Sequence, residues 1–284
     1  MPRPSPVTEE QERLIVEQYS NGVSRNRLAV MFNASRPFIT DCLRRHGVQT
    51  RSLKEACPGL PLNHAVFDAA ASSEAAAYWV GFLMADGCIS ANSGKGSPHV
   101  ILVISERDRS HLEQFRSFLG SQHSIQVIPG GKHYGGKSVR LDLASERLAD
   151  ALSLCGVVTP KANRRVPPFL ELNRHFWRGL VDGDGWVGQA KKRDGSEPRI
   201  ALVGYQPIVE EFSAFLRTVT DCAATVGADR SVWQCGAYGR HAVRVIHYLY
   251  SDCHVALSRK HKTAKSLIDR YRFLLDPDIG YHWN

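Results

Sequence analysis

A chain of 284 residues, 43% apolar and 23% charged, has ordinary globular composition and is long enough for two or three small domains. No apolar run reaches the roughly 18 residues of a bilayer crossing, and MPRPSPVTEEQ lacks the apolar core of a signal peptide; an intracellular protein with no membrane partner is expected. The formal charge of +8, from 36 Lys+Arg against 28 Asp+Glu, favours a polyanionic partner through counterion release.

The first elements lie between Thr8 and Val48. Thr8, Ser24 and Ser35 each precede a short helical pattern as N-cap residues, and Asn21-Gly22 and Gly47 supply stops. The apolar positions are Leu14, Ile15 and Tyr19, then Leu28, Ala29 and Phe32, then Phe38, Ile39 and Leu43. Three short helices, the last two joined by an Asn-Ala turn, fit either a helix-turn-helix or a plain three-helix bundle. Arg36, Arg44 and Arg45 on the last helix favour DNA binding, so residues 1–48 are expected to form a helix-turn-helix domain. Residues 49–63 follow as a linker containing Arg51 and Lys54.

The rest of the chain repeats itself. AYWVGFLMADG, Ala77 to Gly87, is matched by HFWRGLVDGDG, His175 to Gly185, with Trp79 on Trp177, Gly81 on Gly179 and Asp86 on Asp184, 98 positions apart. Each copy is followed by a β-rich stretch (His99–Asp108; Arg199–Gln206) and an amphipathic helix (Arg107–Leu119; Pro207–Val219). Two more strand-like runs with Gly-rich turns come next, within Ser124–Ser145 and Ala224–Tyr250. Each copy closes on a basic segment, TPKANRRV or SRKHKTAK. The order helix, strand pair, helix, strand pair, helix, twice over, predicts an α+β duplication about a pseudo-twofold axis. The seven cysteines stand singly with no C-x-x-C pair, which argues for reduced thiols rather than a zinc cluster or a disulfide framework.

The paired segments carry the chemistry. Ala75–Asp86 is apolar or small at almost every position, which predicts a helix buried all round. Gly81 and Ala85, with Gly179 and Gly183, permit two helix backbones to approach closely across the twofold. Asp86 and Asp184 then emerge side by side at helix C-termini, where two carboxylates repel. A shared divalent ion removes that cost, and hard oxygen donors suit Mg2+.

WVGFLMADG and WRGLVDGDG resemble the paired motifs of the LAGLIDADG homing endonucleases in their monomeric, two-motif form, and the αββαββα layout covers about Asn63 to Ile268. The resemblance implies two repeats, at 64–168 and 169–284, whose sheets form a saddle along the DNA major groove. It implies a double-strand DNA endonuclease that works as a monomer with Mg2+, accepts Mn2+, and binds without cutting in Ca2+. Asp86 and Asp184 would hold the metals, with Ala85 or Gly183 offering a backbone carbonyl, and Lys161 and Lys260, with Lys262 as a further candidate, would stand near them. One departure is that the motif's first acid is Asp182 in the second copy but Met84 in the first, so unequal half-sites are expected.

Base reading is expected from strands and hairpins. The candidates are Lys132, His133, Lys137 and Arg140 in the first repeat, and Lys191, Lys192, Arg193, Arg199, Arg230, Arg240 and Arg244 in the second. DGDGWVG also opens like a calcium-binding EF-hand loop, but Arg193 stands where that loop needs a bidentate Glu. A Met-Pro start and HWN end do not fit an intein, so a free-standing protein is expected. The competing reading is a DNA-binding regulator, or a maturase on intron RNA, that keeps this fold without cutting. Two retained, mutually repelling acids argue for cleavage, and no residue pattern indicates RNA.

Overall fold

A computed structural model describes residues 7–50, 60–90, 97–130, 136–193, 195–222 and 224–275. The chain divides into two compact units, Met1–Leu60 and Pro61–Asn284.

The smaller unit contains three helices, α1 (Glu9–Ser20), α2 (Arg25–Met31) and α3 (Arg36–Arg45). Each is started by the expected cap. The Thr8, Ser24 and Ser35 side chains accept from Gln11 N, Arg27 N and Phe38 N, and Gln11 returns the bond to Thr8 N as a capping box. Ile15, Tyr19, Leu28, Ile39 and Leu43 close the core, whereas Leu14, expected inside, points outward because Ile15 and Tyr19 already fill that face.

The larger unit is the duplicated α+β fold. Each repeat opens with a motif helix, α4 (Glu74–Asp86) or α7 (Arg174–Asp184), that runs directly into a strand. The first sheet comprises β1 (Gly87–Ser90), β2 (His99–Ser105), β3 (Gln126–Ile128) and β4 (Ser138–Ala144), in the order β1-β2-β4-β3. The second comprises β5 (Gly185–Lys192), β6 (Gly195–Gly204), β7 (Gly227–Asp229) and β8 (Val232–Tyr238), in the matching order β5-β6-β8-β7. Helices α5 (Arg109–Phe118) and α6 (Glu146–Leu154) cover one face of the first sheet, and α8 (Gln206–Thr220) and α9 (Gly239–Tyr250) that of the second. Strand alternation agrees: Val100, Leu102, Ile104, Val139, Leu141 and Leu143 face the core, while His99, Val103, Arg140 and Asp142 face away.

Gly239–Tyr250 corrects the sequence reading, which left this stretch among strand-like runs. Its β-branched and aromatic residues mask a helical period: Ala242, Val243, Ile246, Leu249 and Tyr250 line one buried stripe. The basic segments also differ between repeats. TPKANRRV holds a single 3-10 turn at Lys161–Asn163, whereas SRKHKTAK begins a full helix, α10 (Ser258–Arg270). Among the described residues no helix is long and apolar enough to cross a membrane.

Candidate active site

The motif helices meet backbone to backbone. A Cβ built on Gly81 would stand 2.0 Å from Phe176 O and 2.9 Å from Leu180 N; one on Gly179 would stand 2.0 Å from Tyr78 O and 2.9 Å from Phe82 N. Each contact maps onto the other by the 98-residue offset, so a twofold relates the helices and only glycine fits at its crossing. Large aromatic side chains then seal the interface from outside. Tyr78, Trp79 and Phe82 stack about His111 and Phe115 in one repeat, and Trp177 packs on Phe212 and Phe215 in the other.

The same geometry delivers both acids to one place. A Cβ on Gly183 would lie 2.3 Å from the Ala85 Cβ and 3.5 Å from Asp86 Oδ2, so the Asp86 carboxylate stands over the end of the opposite helix. Neither Asp86 nor Asp184 has a hydrogen-bonded or ion-paired partner among the described residues. Burial, and next the charge of Asp184, raise the Asp86 carboxyl from its usual 3.8 to about 6, against the opposing pull of Lys161, Lys260 and Arg259. The Asp184 carboxyl is also raised, first by the protein crowded about it, with Lys161, Lys260 and Arg164 opposing. Its side chain is the more open of the two, so solvent screens it better. Two unpaired carboxylates brought together at the helix ends form an all-oxygen donor set, which fits a divalent cation; of the two carbonyls expected beside them, that of Ala85 accepts from Lys161.

Cations surround the helix ends. Lys161, exposed on its 3-10 turn, donates to Ala85 O, and Thr159 Oγ1 anchors this segment to Ile89 O at 2.7 Å. Lys260 is buried, at 6% exposure, and donates to Val181 O at 2.6 Å, Asp182 O at 2.9 Å and Gly185 O at 2.6 Å. Burial pushes its ammonium down to about 8. Arg164, absent from the sequence reading, is 2% exposed and donates to Leu83 O at 3.1 Å, to Met84 O, and to Gly87 O at 2.7 Å. Lys262 is exposed on α10.

Asp182, the motif's first acid, is 1% exposed and saturated by three donors at 2.7 Å: the Tyr78 and Tyr250 hydroxyls and Leu257 N. It ties α4, α9 and the start of α10 together, and both of its oxygens are engaged in that role. On either side of the acids lies a concavity. One, of about 470 Å³, is lined by Asp86, Arg107, Asp108, Lys137 and Arg259, with Arg259 Nε donating to Asp108 Oδ2 at 3.2 Å. The other, of about 700 Å³, is lined by Asp184, Lys161, Arg164, Tyr205 and Val232.

The remaining cationic candidates separate by location. Lys137 precedes β4, Arg140 projects from β4 on the face away from the helices, and Lys191, Lys192 and Arg193 sit at the β5–β6 hairpin. Arg230 occupies the turn before β8. Arg199 lies on the same uncovered face of its sheet, its guanidinium 5.5 Å from the Trp186 ring centre and 5.2 Å from that of Tyr238. Arg140 and His99 both engage Asp142, at 2.5 and 2.6 Å, and Lys192 engages Glu197 at 2.5 Å. Arg240 and Arg244 are corrections: both lie on α9, which packs on the opposite, core-side face of the sheet. Lys132 and His133, like Arg51 and Lys54, lie outside the described residues. In the small unit Arg36 is exposed, but Arg44 is paired to Asp41 at 2.5 Å and Arg45 to the buried Glu12 at 2.8 Å. Arg25, on α2, was missed and lines a groove with Arg36 and Arg44.

No protein-family model matches the chain, and no curated protein matches it. Among solved structures it is similar to meganuclease I-SmaMI bound to uncleaveable DNA, at 12% identity over 71% of this chain and 93% of that one, with a TM-score of 0.48. It is similar to LAGLIDADG meganuclease I-AabMI bound to uncleaved DNA, at 15% identity over 69% of this chain and 90% of that one, TM-score 0.47. It is also similar to the I-LtrWI LAGLIDADG homing endonuclease bound to target DNA, at 10% identity over 74% of this chain and 94% of that one, TM-score 0.48.

Proposed function

We propose that this chain is a LAGLIDADG-type homing endonuclease, acting as a monomer that hydrolyses both strands of a long double-stranded DNA target with a divalent metal, Mg2+ in the cell. The observation that carries the reading is the pair of unpartnered carboxylates, Asp86 and Asp184, at the crossing ends of twofold-related helices. A binding protein gains nothing from two crowded acids that burial and mutual repulsion both disfavour.

Asp86 and Asp184, with the Ala85 and Gly183 carbonyls, would hold the metal, which when bound supplies Lewis-acid chemistry to a phosphodiester. The chain's own part is positional and electrostatic. The helix pair fixes the two acids against each other across the twofold. Lys161, beside Asp184 at the mouth of the larger concavity, offsets negative charge building on a phosphate there. Outward residues of the two sheets, Arg140 and Arg199 among them, lie along the groove and read or grip the duplex. The three-helix unit acts as a helix-turn-helix that lengthens the target contact through Arg25, Arg36 and Arg44.

The test is selection of cleaved duplexes from a randomised DNA pool in Mg2+, followed by the selected duplex against Asp86→Asn and Asp184→Asn proteins. Both variants are expected to bind that duplex in Ca2+ and to leave its strands uncut in Mg2+. Full cleavage by the double variant would refute the assignment; tight binding with no cleavage by the wild type would favour the regulator reading.

A further inference from the structure

The two motif helices end in the same way, and the residues that end them are not the ones their sequence positions suggest. The last turn of a helix leaves carbonyls with no intrahelical donor. In the first repeat Arg164 donates to the carbonyls of Leu83 and Met84 and to that of Gly87 just beyond the helix; in the second Lys260 donates to those of Val181, Asp182 and Gly185, while Leu83 O and Val181 O also accept from Gly87 N and Gly185 N. The two carbonyl sets are related residue by residue by the 98-position offset, so Lys260 is the spatial counterpart of Arg164 and not of Lys161. Both side chains are buried with their donors facing inward. Lys161, by contrast, is exposed and, among the described residues, donates to Ala85 O alone.

We propose that Arg164 and Lys260 are a twofold-related pair of positioning residues that grip the ends of the motif helices and hold Asp86 and Asp184 in register, leaving Lys161 to face the reacting phosphate. The inference rests on the nuclease reading above for its consequence and on hydrogen-bond geometry alone for the pairing. A cation at each helix C-terminus also opposes the unfavourable dipole field that the acids meet there. The grip crosses the acid: each cation holds carbonyls at positions three and two before it and one after it, so the backbone that carries the aspartate cannot shift without breaking a bond. An arginine in one repeat and a lysine in the other show that the geometry accepts either donor, provided it is charged and long.

That interchangeability supplies the test. Purified full-length Lys260→Arg, Lys260→Met, Arg164→Lys, Arg164→Met and Lys161→Met proteins would be compared for melting temperature, for affinity to the selected duplex in Ca2+, and for cleavage of it in Mg2+. The Met variants at 164 and 260 are expected to melt lower and to lose roughly tenfold or more in cleavage, as removal of outer support for metal-holding groups does. Lys260→Arg and Arg164→Lys are expected to recover melting temperature and to cleave within a few fold of wild type. Lys161→Met should melt as wild type and bind in Ca2+ yet cleave at least tenfold more slowly. A Lys260→Arg protein that melts normally but does not cut would overturn the pairing, since it would place the Lys260 amine on the reacting atoms. So would an Arg164→Met protein with wild-type melting and cleavage. If the wild type cleaves nothing in the pool, the nuclease reading falls, while the melting pattern of the Met and swap variants still decides whether the grip exists.

Discussion

Asp86→Asn should stabilise the metal-free protein, the reverse of what loss of a structural residue does. The wild-type carboxyl is raised from 3.8 to about 6, chiefly by burial and then by Asp184. At about 1.36 kcal/mol per unit, ionising it in the folded state costs at most about 3 kcal/mol. The side chain is half-buried, so solvent screening reduces this to about 1–2 kcal/mol. In a unit of this size each kcal/mol moves the melting temperature by about 2–4 °C, giving a gain of about 2–8 °C for the asparagine protein at about pH 7.5. The sign follows from linkage. A carboxyl whose folded-state value lies above its unfolded one favours folding below the unfolded value and loses that contribution as pH rises through about 6. The advantage of the variant should therefore be full above about pH 7 and shrink on acidification towards pH 4. The assay is calorimetric melting of both proteins in a chelator across that range. An asparagine protein no more stable than wild type at pH 7.5, or one whose advantage does not fall with pH, would refute the electrostatic account of the paired acids.

In the metal-free site a proton on Asp86 competes with the cation, so the Mg2+ concentration needed for half-maximal cleavage of the selected duplex should rise as the buffer falls through about pH 6, as read by gel-resolved initial rates. Gly81→Ala puts a methyl 2.0 Å from Phe176 O and should cost at least about 1–3 kcal/mol, seen as a lower denaturation midpoint, because two backbones must part to admit it. Asp182→Asn replaces a carboxylate that three donors surround with a group carrying one acceptor oxygen. It should lose about 2–4 kcal/mol by urea denaturation and, since its two oxygens bond to Tyr78, Tyr250 and Leu257, keep Ca2+-dependent duplex binding. Deletion of residues 1–50 should weaken duplex affinity in fluorescence titrations while Mg2+-dependent nicking persists; undiminished affinity would assign the three-helix unit another task.

The paired helices and their acids were legible because they obey rules local to the chain. Glycine at the crossing, an apolar run on every side and an acid at its end need no partner to be recognised, and a second copy at fixed spacing removes coincidence. The three N-caps of the small unit were legible for the same reason, since each works within four residues. What failed depended on distance. Arg164 lies about 80 positions from the carbonyls it grips, in a segment where three cations crowd together, and nothing in RRV marks which one turns inward. Lys260 was recognised as a cation near the acids but its burial was not, because its neighbours in sequence are polar. Arg240 and Arg244 were misplaced because α9 carries β-branched and aromatic residues whose composition favours strand and whose spacing favours helix; packing against the sheet made spacing win.

The departure at Met84 finds its reason in the twofold. In one direction across the helix pair, Tyr78 of the first repeat donates its hydroxyl to Asp182 of the second at 2.7 Å. The symmetry-related positions are Phe176 and Met84, a ring without a hydroxyl opposite a side chain without an acceptor. A buried acid left facing phenylalanine would be unsatisfied, and a tyrosine facing methionine would strand its hydroxyl, so the two changes belong together. Unequal half-sites are thus unequal beneath the acids. Near the C-terminal end of α7, two residues before its acid, Asp182 accepts from Tyr78, Tyr250 and Leu257, whereas the matching position near the end of α4, Met84, accepts no such side-chain bond and that end is held by the Arg164 grip. Asp86 should consequently be the more sensitive of the two acids to loss of its supporting cation, and the strand it serves should slow more in Arg164→Met than the opposite strand does in Lys260→Met. Strand-specific labelling of the selected duplex reads this directly, and equal slowing of both strands in both variants would show that the acids move as one body.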